Sequence, residues 1–171
     1  GGQQTPQGDA EAVAVEVLMK PALVQEIMGC LLDNDRTVSG RAAYVMMRVS
    51  QKRPELLHPY KKLLLGEVAA ISLWNLRYQL CKVIPKLNLT RSEIAQAFDL
   101  YQSFLADKSG AVRSFSLSGL AELAMLDPEL RPEAIEIIES QMRTGTPAMR
   151  ARGRNTLAKL YRAEGREVEP N

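Results

Sequence analysis

A period of about 37 residues runs through the chain, and it restricts the fold more than any other feature. Pro54-Glu55-Leu56-Leu57-His58-Pro59 returns, one residue shorter, as Pro128-Glu129-Leu130-Arg131-Pro132, with the opening prolines 74 residues apart, two periods. Val38 and Val112 are separated by the same 74 residues; Val112-Arg113 is followed 37 residues later by Met149-Arg150, and Leu76-Arg77 precedes Arg113 by 36. Apolar residues recur at helical spacing nearly everywhere, and no alternating stretch is long enough to make a strand. One pair of helices of this size cannot bury its own apolar faces, so neighbouring pairs have to stack into an α-solenoid. The sequence therefore predicts an all-α protein, a right-handed superhelix of about four helical hairpins over 21–53, 54–88, 90–127 and 128–162. A leading helix is expected from about Asp9 to Lys20, with residues 9–163 forming a single domain between a flexible leader, 1–8, and a flexible tail, 164–171.

Helix ends are marked by capping residues. Thr90-Arg91-Ser92-Glu93 fits a capping box, in which hydroxyl and carboxylate each satisfy the other residue's backbone donor. Thr146-Pro147 sets a capping hydroxyl before a proline at the first helical position. Gly145 stands where a left-handed residue commonly closes a helix. Pro85 is expected to kink the second helix of its hairpin. Aligned on Ser39, Arg77, Arg113 and Arg150, the four second helices carry Met46, Ile84, Leu120 and Leu157 seven residues on. Three residues further stand Val49, Leu87, Leu123 and Leu160. At 100° per residue both sets share the side of the aligned residue, which makes that side the core stripe.

Polar turns such as Asp33-Asn34-Asp35 and Asp107-Lys108-Ser109-Gly110, followed by an apolar-Arg pair opening the second helix, resemble HEAT repeats over roughly 20–162. Trp74-Asn75-Leu76-Arg77-Tyr78 is similar to the matching segment of HEAT scaffold proteins, and the first hairpin departs in having Ser39 where the family has arginine. The resemblance implies that Arg77, Arg113 and Arg150 are inter-repeat spacers, bonding carbonyls or acidic turn residues of an adjacent repeat. Asp107 or Asp35 is a candidate carboxylate for them, since a buried guanidinium has to be paired. It also implies that the second helices line the concave surface. The side opposite the core would then present Arg41, Tyr44, Arg48, Gln79, Lys82, Lys86, Phe115, Arg152, Asn155 and Lys159 to a partner.

Charge is segregated between the two helix layers. Lys plus Arg is 22 and Asp plus Glu is 20, a net charge of only +2, which excludes a protein basic all over. Yet the second helices hold twelve basic residues against one acidic, Glu122, leaving ten basic and nineteen acidic elsewhere, with Glu133, Glu136 and Glu139 as one acidic ridge. Such a bias suits a surface that attracts an acidic or extended protein segment, with Tyr44 and Phe115 as apolar contacts, or else a nucleic-acid backbone. The second possibility has a sharper form in the HEAT-like alkylpurine glycosylases, which Trp74–Tyr78 superficially resembles. Asn75 and Tyr78 stand where that family carries carboxylates, so the catalytic device is missing. Trp74 is expected in the core.

Other chemistries find no support. The single histidine, His58, precedes Pro59 and suits a turn or capping role, so no triad or histidine metal site is expected. Cys30 and Cys81, about fifty residues apart, are expected as buried thiols in a reducing compartment, and the protein is placed in the cytoplasm. Gly110, Gly119 and Gly153 are isolated and form no phosphate loop. No apolar run is long enough for a membrane span. The expectation is a non-catalytic scaffold without cofactor, metal or membrane association, its partner a protein or acidic peptide, or alternatively nucleic acid.

Overall fold

The computed structural model describes residues 8–166, so the expected leader up to residue 7 and the tail from residue 167 lie outside the described residues. Among the described residues there are nine α-helices: α1 (Gly8–Met19), α2 (Val24–Leu31), α3 (Arg36–Lys52), α4 (Lys61–Leu63), α5 (Trp74–Val83), α6 (Arg91–Phe104), α7 (Gly110–Leu126), α8 (Arg131–Thr144) and α9 (Pro147–Ala163). No strand occurs among the described residues. The helices fall into two compact units, Gly1–Leu89 and Thr90–Asn171.

In the N-terminal unit α3 packs against α1, α2 and α5. The first helix of the second hairpin is broken into a 3-10 segment (Pro54–Tyr60), the single turn α4 and a π-helical turn (Leu64–Val68). Pro59 lies inside the 3-10 segment and has no N–H to continue an α-helical ladder. Leu57, Leu64, Leu65 and Val68 are nevertheless all buried. His58 Nε2 lies 3.2 Å from the Lys86 carbonyl, and Lys61 Nζ donates to the Asn88 carbonyl at 3.0 Å, tying this segment to the end of α5. Pro85 ends the helix: α5 stops at Val83 and passes into a 3-10 turn, Ile84–Lys86.

In the C-terminal unit α7 packs against α6, α8 and α9. At Gly119, α7 lies so near α6 that a Cβ would stand 2.4 Å from Tyr101 Cε2, and glycine fits there without displacing the ring. Arg131 binds the end of α9 through the Ala163 carbonyl, at 3.3 Å, and the Glu164 carboxylate, at 3.5 Å.

The apolar stripe is where the repeat alignment puts it. Met46, Ile84, Leu120, Leu157, Val49, Leu87, Leu123 and Leu160 are all buried, each contributing about 1.5–3 kcal/mol by leaving water. The capping box at Thr90 forms, with Glu93 N donating to Thr90 Oγ1 and Thr90 N to Glu93 Oε2. Three second helices have side-chain caps: Asp35 for α3, Ser109 for α7 and Thr146 for α9. The fourth, α5, follows Leu73 and has none.

Two local expectations are corrected. Gly145 is extended (φ −74°, ψ 164°), not left-handed. Its need is space, since a Cβ there would meet the Gln141 carbonyl oxygen at 2.5 Å. Cys30 is half-buried while Cys81 is buried, and the two are not joined in a disulfide.

Candidate partner-binding surface

The outward side of the second helices is partly used by the repeat itself. Arg48 on α3 donates through Nε and Nη2 to the two carboxylate oxygens of Glu11 on α1, at 3.0 and 2.8 Å. Tyr44 Oη donates to Glu11 Oε2 at 2.7 Å. Glu11 lies 37 residues before Arg48, one period, so the carboxylate stands on one helix where the guanidinium stands on the next. These bonds to Arg48 and then to Tyr44 hold the Glu11 carboxyl below its ordinary range, and Glu11 in turn raises the Tyr44 hydroxyl. A depressed carboxyl adds stability above the unfolded value, near 4.5, and that increment disappears as pH falls through the lower folded value. Glu11→Gln should therefore lower the melting temperature at neutral pH and reduce the further drop on acidification, measured by thermal scans at pH 7 and pH 3.

Arg152 does the corresponding work in the C-terminal unit. Its guanidinium stacks 3.6 Å from the centre of the Phe115 ring, while Nε and Nη1 donate to Ser114 Oγ and Ser118 Oγ at 3.0 and 3.2 Å. Arg152 and Phe115 are both half-buried in this contact between α9 and α7. On the same helix α9, Arg154, Asn155, Lys159 and Arg162 are exposed.

Each of the three aligned arginines donates to a main-chain carbonyl of the turn before its own helix. Arg77 Nε reaches the Ile71 carbonyl (3.2 Å), Arg113 Nη1 those of Asp107 and Lys108 (2.6 and 3.0 Å), and Arg150 Nη1 that of Gly145 (2.7 Å). Arg77 and Arg113 are half-buried, whereas Arg150 is exposed. The Asp35 and Asp107 carboxylates accept backbone N–H groups of their own turns, from Thr37 and Ser109. A carbonyl at the end of a preceding turn is a good acceptor for a guanidinium, and each of these arginines uses one.

The seam between α3 and α5 departs most from expectation. Gly40 on α3 has Asn75 folded over it so closely that a Cβ would stand 2.2 Å from Asn75 Nδ2. This approach carries Gln79, one turn further along α5, onto the floor of the seam, where it still lines the groove but is only 8% exposed. Among the described residues neither Asn75 Oδ1 nor Gln79 Oε1 has a hydrogen-bond partner, although both atoms are buried. Each such orphaned acceptor costs about 1–3 kcal/mol. Trp74, expected in the core, is 56% exposed because it is the first residue of α5, where the helix has only just begun to turn its faces inward.

Above these amides lies a groove of about 460 Å³, lined on α3 by Arg36, Thr37, Gly40, Arg41 and Tyr44, on α5 by Trp74, Asn75, Tyr78 and Gln79. The Trp74 and Tyr78 rings are 6.4 Å apart, and Lys82 Nζ lies 3.9 Å from the centre of the Tyr78 ring. Arg36, Arg41 and Lys86 are exposed, and neither Arg36 nor Arg41 makes an ion pair among the described residues. Arg36, Trp74, Asn75 and Tyr78 were not among the binding residues expected from the repeat alignment. Two arginines five residues apart on one helix, with no acidic residue between them, were the available signal. Among the described residues there is no cluster of three His, Cys, Asp or Glu side chains placed for a metal ion, and no helix long and apolar enough to cross a membrane.

Compared with known protein families, the chain matches the HEAT repeat domain over residues 2–160. It belongs to the HEAT repeat family. HEAT repeats are generally non-catalytic and commonly bind proteins. No curated protein and no solved structure matches the chain. None of these comparisons supports the likeness of Trp74–Tyr78 to the alkylpurine glycosylases.

Proposed function

We propose that the chain is a non-catalytic scaffold whose second helices hold an acidic, extended segment of another protein. The observation that carries this reading is the charge segregation, twelve basic residues against one acidic on the second helices. Arg48 and Arg152 are engaged within the repeat, which leaves Arg41, Lys86, Lys159 and their exposed neighbours as the groups facing solvent. Exposed cations steer and orient an acidic ligand while contributing little to folding, so they are the ones to reverse. Two cysteines without a disulfide between them suit a reducing compartment such as the cytoplasm.

The pair Lys86→Glu with Lys159→Glu tests it. Binding of a fluorescein-labelled poly-glutamate peptide should weaken about tenfold or more, at unchanged helicity by circular dichroism. Peptide binding indifferent to both reversals would overturn the proposal. So would a steeply salt-dependent capture of single-stranded DNA with no peptide binding, which is the behaviour of a phosphate-backbone binder.

A further inference from the structure

We infer that the α3–α5 groove of the N-terminal unit is a peptide-recognition subsite, in which the side-chain amides of Asn75 and Gln79 pair with main-chain N–H groups of an extended acidic segment while Arg36 and Arg41 take its carboxylates. This rests on the reading above and adds the place and the atoms.

The orphaned groups choose the ligand. Asn75 Oδ1 and Gln79 Oε1 are buried acceptors without partners, and Gln79 as a whole is 8% exposed. An acceptor is satisfied only by a donor. The phosphates of a nucleic acid offer oxygens alone and its donors lie on bases or 2′-hydroxyls, whereas every residue of a peptide except proline brings a main-chain N–H at regular spacing. Spacing agrees: residues four apart on a helix are separated by about 6 Å of rise, and alternate N–H groups of an extended chain by about 6.6 Å. One extended segment lying along α5 therefore meets both amides in register.

The rest of the groove complements such a segment. Its α3 wall supplies two exposed guanidinium groups, Arg36 and Arg41, with no ion pair among the described residues. Its α5 wall supplies the exposed Trp74 indole beside Tyr78, a flat apolar face for one side chain of the ligand. Carboxylates toward α3, an apolar residue toward Trp74 and main-chain N–H groups toward the seam describe a single ligand class: an extended segment alternating acidic and apolar residues.

The test uses the whole chain and two labelled peptides of alternating Glu and Leu, one of them N-methylated at alternate main-chain nitrogens. The unmethylated peptide should bind wild-type protein about tenfold more tightly than the methylated one, by fluorescence anisotropy. Gln79→Leu removes the acceptor at similar size; it should lose about the same factor on the unmethylated peptide and much less on methylation. Its melting temperature should hold or rise, because an orphaned buried acceptor has gone; a purely structural Gln79 would give a fall. Should Gln79→Leu lose helicity, Arg41→Glu at an exposed position gives the second measurement, with the same weakening expected. Wild-type protein that binds both peptides equally overturns the subsite and leaves the acidic-segment reading standing. Binding of neither peptide overturns that reading as well, and displacement of the peptide by oligo-dT overturns both in favour of nucleic acid.

Discussion

Gly119→Val is expected to cost the C-terminal unit about 3 kcal/mol, the upper part of the range for overpacked cores. A Cβ at 119 would stand 2.4 Å from Tyr101 Cε2 and 2.7 Å from Cδ2. The tyrosine is fully buried, so the ring has no solvent to swing into, and α6 and α7 would have to separate. Valine is only a few tenths of a kcal/mol better than glycine as a helix former, too little to offset the overlap. Urea unfolding measures the loss directly. Tyr101→Leu in the same chain frees volume opposite position 119 and should recover part of it, so the two substitutions will be strongly non-additive. An unchanged unfolding midpoint for Gly119→Val would mean that α6 and α7 are not held at this spacing.

Leu120→Ala, the next residue, should destabilise by about 3 kcal/mol for the opposite reason, a cavity where the surroundings cannot collapse. Leu120 is fully buried on the core stripe of α7, whereas Leu126, at the end of the same helix, is 50% exposed. Leu126→Ala removes the same atoms and should change stability by no more than about 0.5 kcal/mol. The comparison isolates burial from chemistry, read as the difference between two urea midpoints. Equal effects would show that the stripe defined by the repeat is not the core.

The features legible in the sequence were those set by residue type and period. Leu120 and its equivalents Met46, Ile84 and Leu157 repeat one apolar requirement, and the hydroxyls of Thr90 and Thr146 mark helix starts through one local bond each. The surface was less legible because it depends on what neighbouring helices do. Arg48 and Arg152 have the spacing of ligand contacts, yet each meets a side chain one period earlier in the chain, Glu11 on the leading helix α1 or Phe115 on α7. Arg150 has the offset of a buried spacer and is exposed, since its acceptor is the carbonyl of Gly145 at the rim of a turn. Main-chain carbonyls have no letter in a sequence. Gln79 and Trp74 exchanged their expected positions, the polar residue going in and the aromatic one out. Gly40 lets α5 settle onto α3 through Asn75, and the uncapped start of α5 places Trp74 at its first position. Neither a missing Cβ nor a missing cap appears in a count of apolar periodicity.

Trp74 is the chain's only tryptophan, and it stands half in water on the wall of the α3–α5 groove. The molecule thus carries its own optical reporter at one defined place. Because 56% of it is already exposed, denaturation should shift its emission less than it would for a buried indole, and a fluorescence melt should report the transition more weakly than circular dichroism. Anything that covers the groove moves the same indole from water to an apolar contact and shifts its emission to the blue. One intrinsic signal, weakly sensitive to unfolding and expected to respond to occupancy, would help separate loss of a ligand from loss of the fold without any label.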